Sequence, residues 1–358
     1  MTGKTHIVAI GARTAVGLAA EVAAAAVRAS ISRIAEHPTF VDATGSPLKC
    51  AVDPRLGPDM PLVERMVVMA QHTLHEAASK LAPPRSTEHR ARVFVALPEC
   101  RPGFSISQVE KVTAALAGMA LPGIRVVDLQ CLPSGHAGAL QALQDADRVT
   151  RETGDIAVIV GVDSYFDIET LSWLESERRL ARPGVRDGFV PGEGSGAIVL
   201  ASGATCARMK LRSLARLART GTAQEARSRH STEGLLGEGL FAAVRNACHG
   251  LGEAHVDDLF CDINGERHRS DEWGFAVLRA AALLRDGADY RSGVTAWGDV
   301  GAASGALGCV LAVQAWARGY ARGPRALVWG SSDAGSRAAV LLEDDNRARG
   351  TDHAERHD

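Results

Sequence analysis

The stretch 126–139 holds the residues best suited to chemistry. It reads V-V-D-L-Q-C-L-P-S-G-H-A-G-A, with a short β-branched run that ends at Asp128 and a small-residue run of helical spacing from 137 to 149. This pattern predicts a strand, a tight turn that carries Cys131, and a helix whose N-terminus points back at the turn. Helix N-terminal N–H groups and the helix dipole favour a thiolate, so a cysteine there can be a nucleophile at neutral pH. The alternative is that Cys131 is a small apolar filler beneath the helix, since free cysteine is among the most buried residue types.

The composition narrows the class of protein. The 358 residues include 40 basic and 42 acidic side chains, so no global charge recruits nucleic acid or an anionic membrane. Seven scattered cysteines without C-x-x-C pairs predict reduced thiols in a cytoplasmic protein, and neither a disulfide framework nor a metal site. The N-terminus shows no signal peptide, and no apolar run approaches the ~18 residues that a membrane span needs.

Strand and helix patterns alternate along the chain, which predicts sheets covered by helices on both faces. A length of 358 residues suits two fused halves, with the seam near 203–206. The segment 346–358 is polar without apolar periodicity and is predicted to be a disordered tail. The early glycines, Gly11 and Gly17, do not match the G-x-G-x-x-G fingerprint, so no dinucleotide cofactor is expected. Helices are predicted at 62–81, 107–120, 167–180, 235–250, 271–285 and 301–318, and strands at 6–11, 92–97, 124–127, 156–162, 205–218, 258–263, 293–297, 325–329 and 337–343.

Four segments together carry a family resemblance. They are V-V-D-L-Q-C-L-P-S-G-H, D-G-F-V-P-G-E-G-S-G-A-I-V-L, G-D-V-G-A-A-S-G and G-S-S-D-A-G-S-R-A-A-V-L-L-E, in that order. In sequence and spacing they resemble the β-ketoacyl synthases of the thiolase superfamily, in which the first segment holds the acyl-accepting cysteine. The resemblance implies a five-layered α-β-α-β-α fold of two similar halves, 1–203 and 204–345, and a homodimer. Glu193 of the second segment is expected to be structural, because it holds loops behind the site in that family.

Three positions depart from the family pattern. Two histidines normally stabilise the enolate that forms when the malonyl thioester loses carbon dioxide. Asn264 stands at the first of these positions and Asp299 at the second, and Asp333 replaces the phenylalanine of the fourth segment. A carboxylate would repel an adjacent oxyanion unless it were protonated. Decarboxylative condensation by the usual route is therefore not expected.

Acyl transfer through Cys131 would need fewer groups: a thiolate, an oxyanion hole and a base. The backbone N–H groups of Cys131 and of the turn Asp333, Ala334 and Gly335 are candidates for the hole. Asn264 and Asp299 could serve as partners of a histidine base. The candidate bases are His268, Glu266 and His136. The alternatives are a solvated loop position for His268, a water-facing side chain for Glu266, and, for His136, packing on the helix that follows Cys131. We call this predicted turn and helix the elbow.

Two functions therefore remain. The first is acyl transfer or thioester hydrolysis through Cys131, with an acyl-carrier-protein or acyl-coenzyme A thioester as donor. The second is a catalytically inactive, chain-length-factor-like subunit that binds an acyl chain or a partner, with a full ketosynthase as the partner in a heterodimer. Such subunits usually replace the cysteine, often by glutamine, whereas here Gln130 precedes a retained cysteine. A reactive, accessible Cys131 would favour catalysis, and an inert one the binding role.

Overall fold

A computed structural model describes residues 3–42, 44–81, 88–182, 184–185, 187–227, 229, 231 and 234–345. The tail predicted at 346–358 lies outside the described residues. Within the described ranges, no helix combines the length and apolar character needed to cross a bilayer.

Twelve strands build the sheets within the described residues. They are β1 (Thr5–Thr14), β2 (Ala35–Val41), β3 (Pro47–Cys50), β4 (His89–Leu97), β5 (Ile124–Pro133), β6 (Ile156–Ser164), β7 (Glu193–Ser202), β8 (Ala215–Gln224), β9 (Asp258–Phe260), β10 (Tyr290–Arg291), β11 (Arg325–Ser331) and β12 (Ser336–Glu343).

In the described part of the chain, ten α-helices connect and cover them. They are α1 (Ala20–Arg28), α2 (Leu62–Ser79), α3 (Ile106–Ala117), α4 (Gly138–Thr153), α5 (Ile168–Ser176), α6 (Gly203–Met209), α7 (Glu238–Ala247), α8 (Arg267–Ala280), α9 (Val294–Trp297) and α10 (Ser304–Ala317). Short 3₁₀ turns at Gly135–Ala137 and Gly301–Ala303 lead directly into α4 and α10.

The large sheet has the strand order β10-β9-β11-β12-β8-β1-β7-β6-β4-β5, and β2 and β3 form a separate hairpin. Within the large sheet, the five strands that precede α6 form one run, and the five that follow it form the other. The two runs meet where Thr5–Ile7 of β1 pairs with Ala215–Leu217 of β8. The assignment of 1–203 and 204–345 as domains stays a prediction.

Alternation of side chains across the strands produces five layers. In β11, for example, Val328 packs into a central core with α4 and α10, whereas Leu327 and Trp329 pack into an outer core with α7 and α8. On the opposite side, α2 and α3 cover the outer faces of β4, β6 and β7. Helix, sheet, helix, sheet and helix therefore follow one another, which confirms the predicted α-β-α-β-α architecture.

The carboxyl ends of parallel strands position the site. Strands β4, β5 and β6 run parallel to one another, as do β9 and β11, so the residues that follow each group meet at one edge. Ligand and catalytic groups of α/β proteins collect at such edges.

Three predicted elements differ from the structure. The strand predicted at 205–218 is helix α6 followed by β8, and the strand predicted at 293–297 is the short helix α9. The strand predicted to stop at 127 continues to Pro133, because Asp128–Pro133 pairs with Arg92–Leu97 of β4. Pairing with a neighbouring strand outweighs local propensity here.

Candidate functional site

A buried imidazole and carboxylate stand at the centre of the site. His136 lies in the 3₁₀ turn that opens α4, and its Nε2 is 3.0 and 3.2 Å from the two carboxylate oxygens of Asp299. Asp299 also accepts hydrogen bonds from the Gly301 N–H at 2.7 Å and from Asn264 Nδ2. The position at the start of the elbow helix, predicted to hold a thiol, therefore holds an imidazole.

His136 and Asp299 each stabilise the charged form of the other. Burial alone would raise the pKa of Asp299, but His136, Arg269 and Asn264 outweigh it and hold that pKa well below its ordinary value. Burial and Arg269 alone would lower the pKa of His136, but Asp299 and Asp262 reverse this and raise it. Both shifts favour the imidazolium–carboxylate ion pair over the neutral pair.

Two buried arginines extend the network. Arg179 binds both oxygens of Glu266, at 2.6 and 2.9 Å, and one oxygen of Asp333 at 2.7 Å. Arg269 lies 2.8 Å from Asp262 and 3.4 Å from the His136 ring nitrogens. Burial would raise the pKa of Glu266, but the arginines lower it, so Glu266 is a paired carboxylate and a weak base.

A cavity of about 290 Å³ lies beside His136. Charged side chains line much of it, including Arg101, which binds Asp163 at 2.7 Å and stacks on the Tyr165 ring. Trp173 contributes a further aromatic wall. The cavity thus has both aromatic and charged walls, and its lining acids and guanidiniums are largely paired to one another.

Glu99 accepts hydrogen bonds from backbone N–H groups that were predicted to form an oxyanion hole. Its carboxylate accepts hydrogen bonds from the N–H groups of Asp333 and Ala334, both at 3.0 Å. The N–H of Gly335 donates to the Ser332 carbonyl at 3.1 Å. All three N–H groups of this turn are therefore engaged within the protein.

Cys131 does not lie in the turn, and that placement was wrong. It sits inside β5 opposite Val95 of β4, and it packs against the outer core covered by α2 and α3, whereas the next residue, Leu132, packs into the central core. Successive strand residues face opposite sides of the sheet, so Cys131 faces away from α4. Burial raises the pKa of its thiol, and a hydrogen bond with Thr113 offsets this only partly.

His268 lies in the first turn of α8, at the border of the network. Its Nε2 is 4.0 Å from a Glu266 oxygen. Burial and the nearby Arg269 lower its pKa to about 4, so the imidazole is neutral at physiological pH. Among the predicted residues, the structure thus brings together Asn264, Asp299, Glu266, His136 and the Asp333 turn, with His268 beside them and Cys131 on another face.

Sequence reasoning missed Glu99, Arg101, Arg179 and Arg269. Glu99 and Arg101 follow the carboxyl end of β4, which lies next to β5, and this topology is the signal that could have found them. The prediction for Glu193 is confirmed: fully buried, it binds Arg65 at 2.9 Å and accepts hydrogen bonds from the Asp53 N–H and the Ser164 hydroxyl.

Comparison with known sequences gives no match: no protein-family model and no curated protein matches the chain. Solved structures do match. "The ishigamide ketosynthase/chain length factor" superposes with a TM-score of 0.78 at 16% identity, over 96% of this chain and 100% of that chain.

Two further structures agree. The AntDE:AntF complex of a type II polyketide synthase acyl-carrier protein with its ketosynthase gives a TM-score of 0.74 at 13% identity, over 96% and 100% of the two chains. The ketosynthase from module 6 of the bacillaene synthase of Bacillus subtilis 168 gives 0.72 at 15% identity, over 95% of this chain and 72% of that chain. The protein therefore has the thiolase-type fold of the β-ketoacyl synthases.

Proposed function

We propose that this chain is a catalytically inactive ketosynthase-like subunit that acts, as a chain-length factor does, by binding an acyl chain and a partner. The observation that carries the proposal is the His136–Asp299 ion pair at the start of α4. In the family that the sequence resembles, this elbow presents the acyl-accepting thiol. An imidazolium has no free lone pair, so His136 cannot replace that thiol as a nucleophile.

The turn of Asp333 argues in the same direction. A tetrahedral acyl-transfer intermediate needs donors that point at its oxyanion. Here Glu99 takes the two N–H groups of Asp333 and Ala334, so its carboxyl oxygens already occupy that position. Burial raises the pKa of Glu99, although the two N–H donors oppose this shift.

The alternative is acyl transfer or thioester hydrolysis through Cys131. That chemistry needs a thiolate near a base. The raised pKa of Cys131 and its position on the face of β5 that packs under α3 both oppose it. The free thiol remains a specific reason to test this alternative directly.

The partners follow from the same proposal. The neighbours in structure include a ketosynthase/chain length factor and a ketosynthase bound to an acyl-carrier protein. We therefore propose an acyl-carrier-protein or coenzyme A thioester as the source of the acyl chain. A full ketosynthase would be the partner in a heterodimer, and a second copy the partner in a homodimer.

Intact-protein mass spectrometry tests the proposal. The native chain, Cys131→Ala and His136→Cys are each incubated with a panel of acyl-coenzyme A and acyl-carrier thioesters. We expect no adduct on the native chain, and an adduct on His136→Cys would show that the donors reach the elbow. An adduct on the native chain that disappears in Cys131→Ala would contradict the proposal and establish the acyl-enzyme.

A further inference from the structure

A second cavity, of about 310 Å³, lies next to the first along the chain that follows β6. Tyr165 lines the first cavity and Phe166 the second. The β2–β3 hairpin and the loop that leads into α2 supply the remaining walls, and most of these are apolar: Ala35, Pro38, Val52, Leu56 and Pro58. A concave apolar site with a few fixed polar groups is the usual form of a small-molecule site.

Arg65 lines this cavity and carries an unused hydrogen-bond donor. The residue is 1% exposed, and its Nη atoms bind Glu193 and the Gly57 carbonyl. Its Nε–H is buried and has no partner among the residues that the structure describes. Leaving a buried donor unsatisfied is unfavourable, so a ligand or a water that accepts from it is expected.

His37 supplies a second donor. Its Nδ1 accepts hydrogen bonds from the N–H groups of Thr39 and Phe40, at 3.2 and 2.9 Å. This assigns the ring proton to Nε2. The ring lines the cavity and stacks on Phe166 with 5.7 Å between centroids, and the Arg65 guanidinium lies 5.9 Å from that same phenylalanine ring.

The buried charges at the cavity are already balanced. Arg65 is paired with Glu193, and Asp53 is paired with Arg13 at 2.6 Å. A charged ligand would add an uncompensated charge to these pairs, whereas a neutral acceptor would satisfy the free donors without disturbing them. We propose that this second cavity binds a small neutral molecule that is mostly apolar and carries one carbonyl-type oxygen, held by Arg65 Nε–H and His37.

Acetophenone and ethylbenzene test this proposal, because they share shape and size but only the ketone has an acceptor oxygen. Ligand-observed saturation-transfer NMR on the full chain gives the two affinities. We expect acetophenone to bind about tenfold more tightly, as one hydrogen bond of about 1.4 kcal/mol implies. Equal affinities, or no binding of either compound, would overturn the proposal and assign the free donor to a water only.

Matched variants locate the binding. Val52→Phe should fill the cavity and abolish binding, whereas Val41→Phe, on the neighbouring β2–β3 hairpin but outside the lining, should leave it unchanged. Arg65→Lys keeps the charge opposite Glu193 but loses Nε–H, and should remove the preference for the ketone. His37→Phe keeps the ring stack but loses the Nε2 donor, and should weaken that preference. This variant provides the test if Arg65→Lys does not fold. Thermal unfolding confirms that each variant is folded, and a ketone preference that survives both donor changes would contradict the assignment.

Discussion

At the scale of single residues, the His136–Asp299 pair decides what the site can do. Both side chains are buried, and each offsets the desolvation of the other. Removing one partner of such a pair leaves an uncompensated buried charge, which typically costs about 3–5 kcal/mol. The interaction is therefore measurable as a coupling free energy between the two positions.

We expect His136→Gln and Asp299→Asn each to lower the free energy of unfolding by about 3 kcal/mol, and the double variant to lose clearly less than the sum. Urea denaturation of the four proteins measures the cycle. The native pair should contribute fully only between pH 3.8 and 6.5. The Asp299 contribution disappears as pH falls below its ordinary pKa, and the His136 contribution as pH rises through its raised pKa. Additive single changes would refute the coupling.

His268 should give the opposite pH dependence. Because its folded-state pKa of about 4 lies below the ordinary 6.5, the unfolded chain binds a proton that the folded protein rejects. Stability should therefore fall by up to about 3 kcal/mol between pH 6.5 and 4. In His268→Gln this part of the loss should vanish, which denaturation midpoints across that range would measure. Parallel pH profiles for the two proteins would show that His268 is solvated.

At the scale of elements, the loop before β7 fixes where Asp299 stands. The Gly192 N–H donates to the Asp299 carbonyl at 2.8 Å, and the Asp299 N–H donates to the Val190 carbonyl at 2.8 Å. A Cβ atom added to Gly192 would stand 2.1 Å from the Trp297 carbonyl oxygen and 3.0 Å from that of Asp299. This close approach of two backbones requires a glycine.

Gly192→Ala should thus destabilise the protein by about 2 kcal/mol or more, because the segment that carries Asp299 must shift. Gly274→Ala is the matched control, since Gly274 lies inside α8 and an added Cβ meets no atom within 4 Å. It should stabilise the helix by roughly 0.5–1 kcal/mol. Chemical denaturation compares both with the native chain, and a neutral Gly192→Ala would contradict this account of the loop.

Cys131 and His136 show what could not be predicted from the sequence alone. The motif located the strand and the helix, but the boundary between them depends on β4, which continues β5 as far as Pro133. Cys131 therefore lies in the strand and not in the turn where it was predicted. His136 lies in the turn that opens α4. Asn264 and Asp299 were predicted together because both align with the histidine positions of the family motifs, whereas Arg179 and Arg269 belong to no motif and become partners only through tertiary packing.

At the scale of the whole molecule, the sheet ends on β5. This edge strand has ten residues, most of them half-buried, whereas the opposite end of the sheet is the two-residue β10. A long apolar edge is usually covered or paired, because its free N–H and C=O groups can join another strand. The homodimer expected from the resemblance would use this edge, and its formation would further shield Cys131.

Val127 is the position at which to test that dimer. It stands at the bulge between the Ala91–Val126 and Arg92–Asp128 pairs, is half-buried, and belongs to neither core. We expect Val127→Lys to reduce the mass measured by analytical ultracentrifugation from twice 37.7 kDa to 37.7 kDa, because the charge cannot be buried at a paired edge. Val22→Lys, at a 53% exposed site on α1, should remain dimeric, with both variants folded by circular dichroism. A monomeric native chain would contradict the expected homodimer. A Val127→Lys variant that is still dimeric would show that the dimer interface does not include the β5 edge.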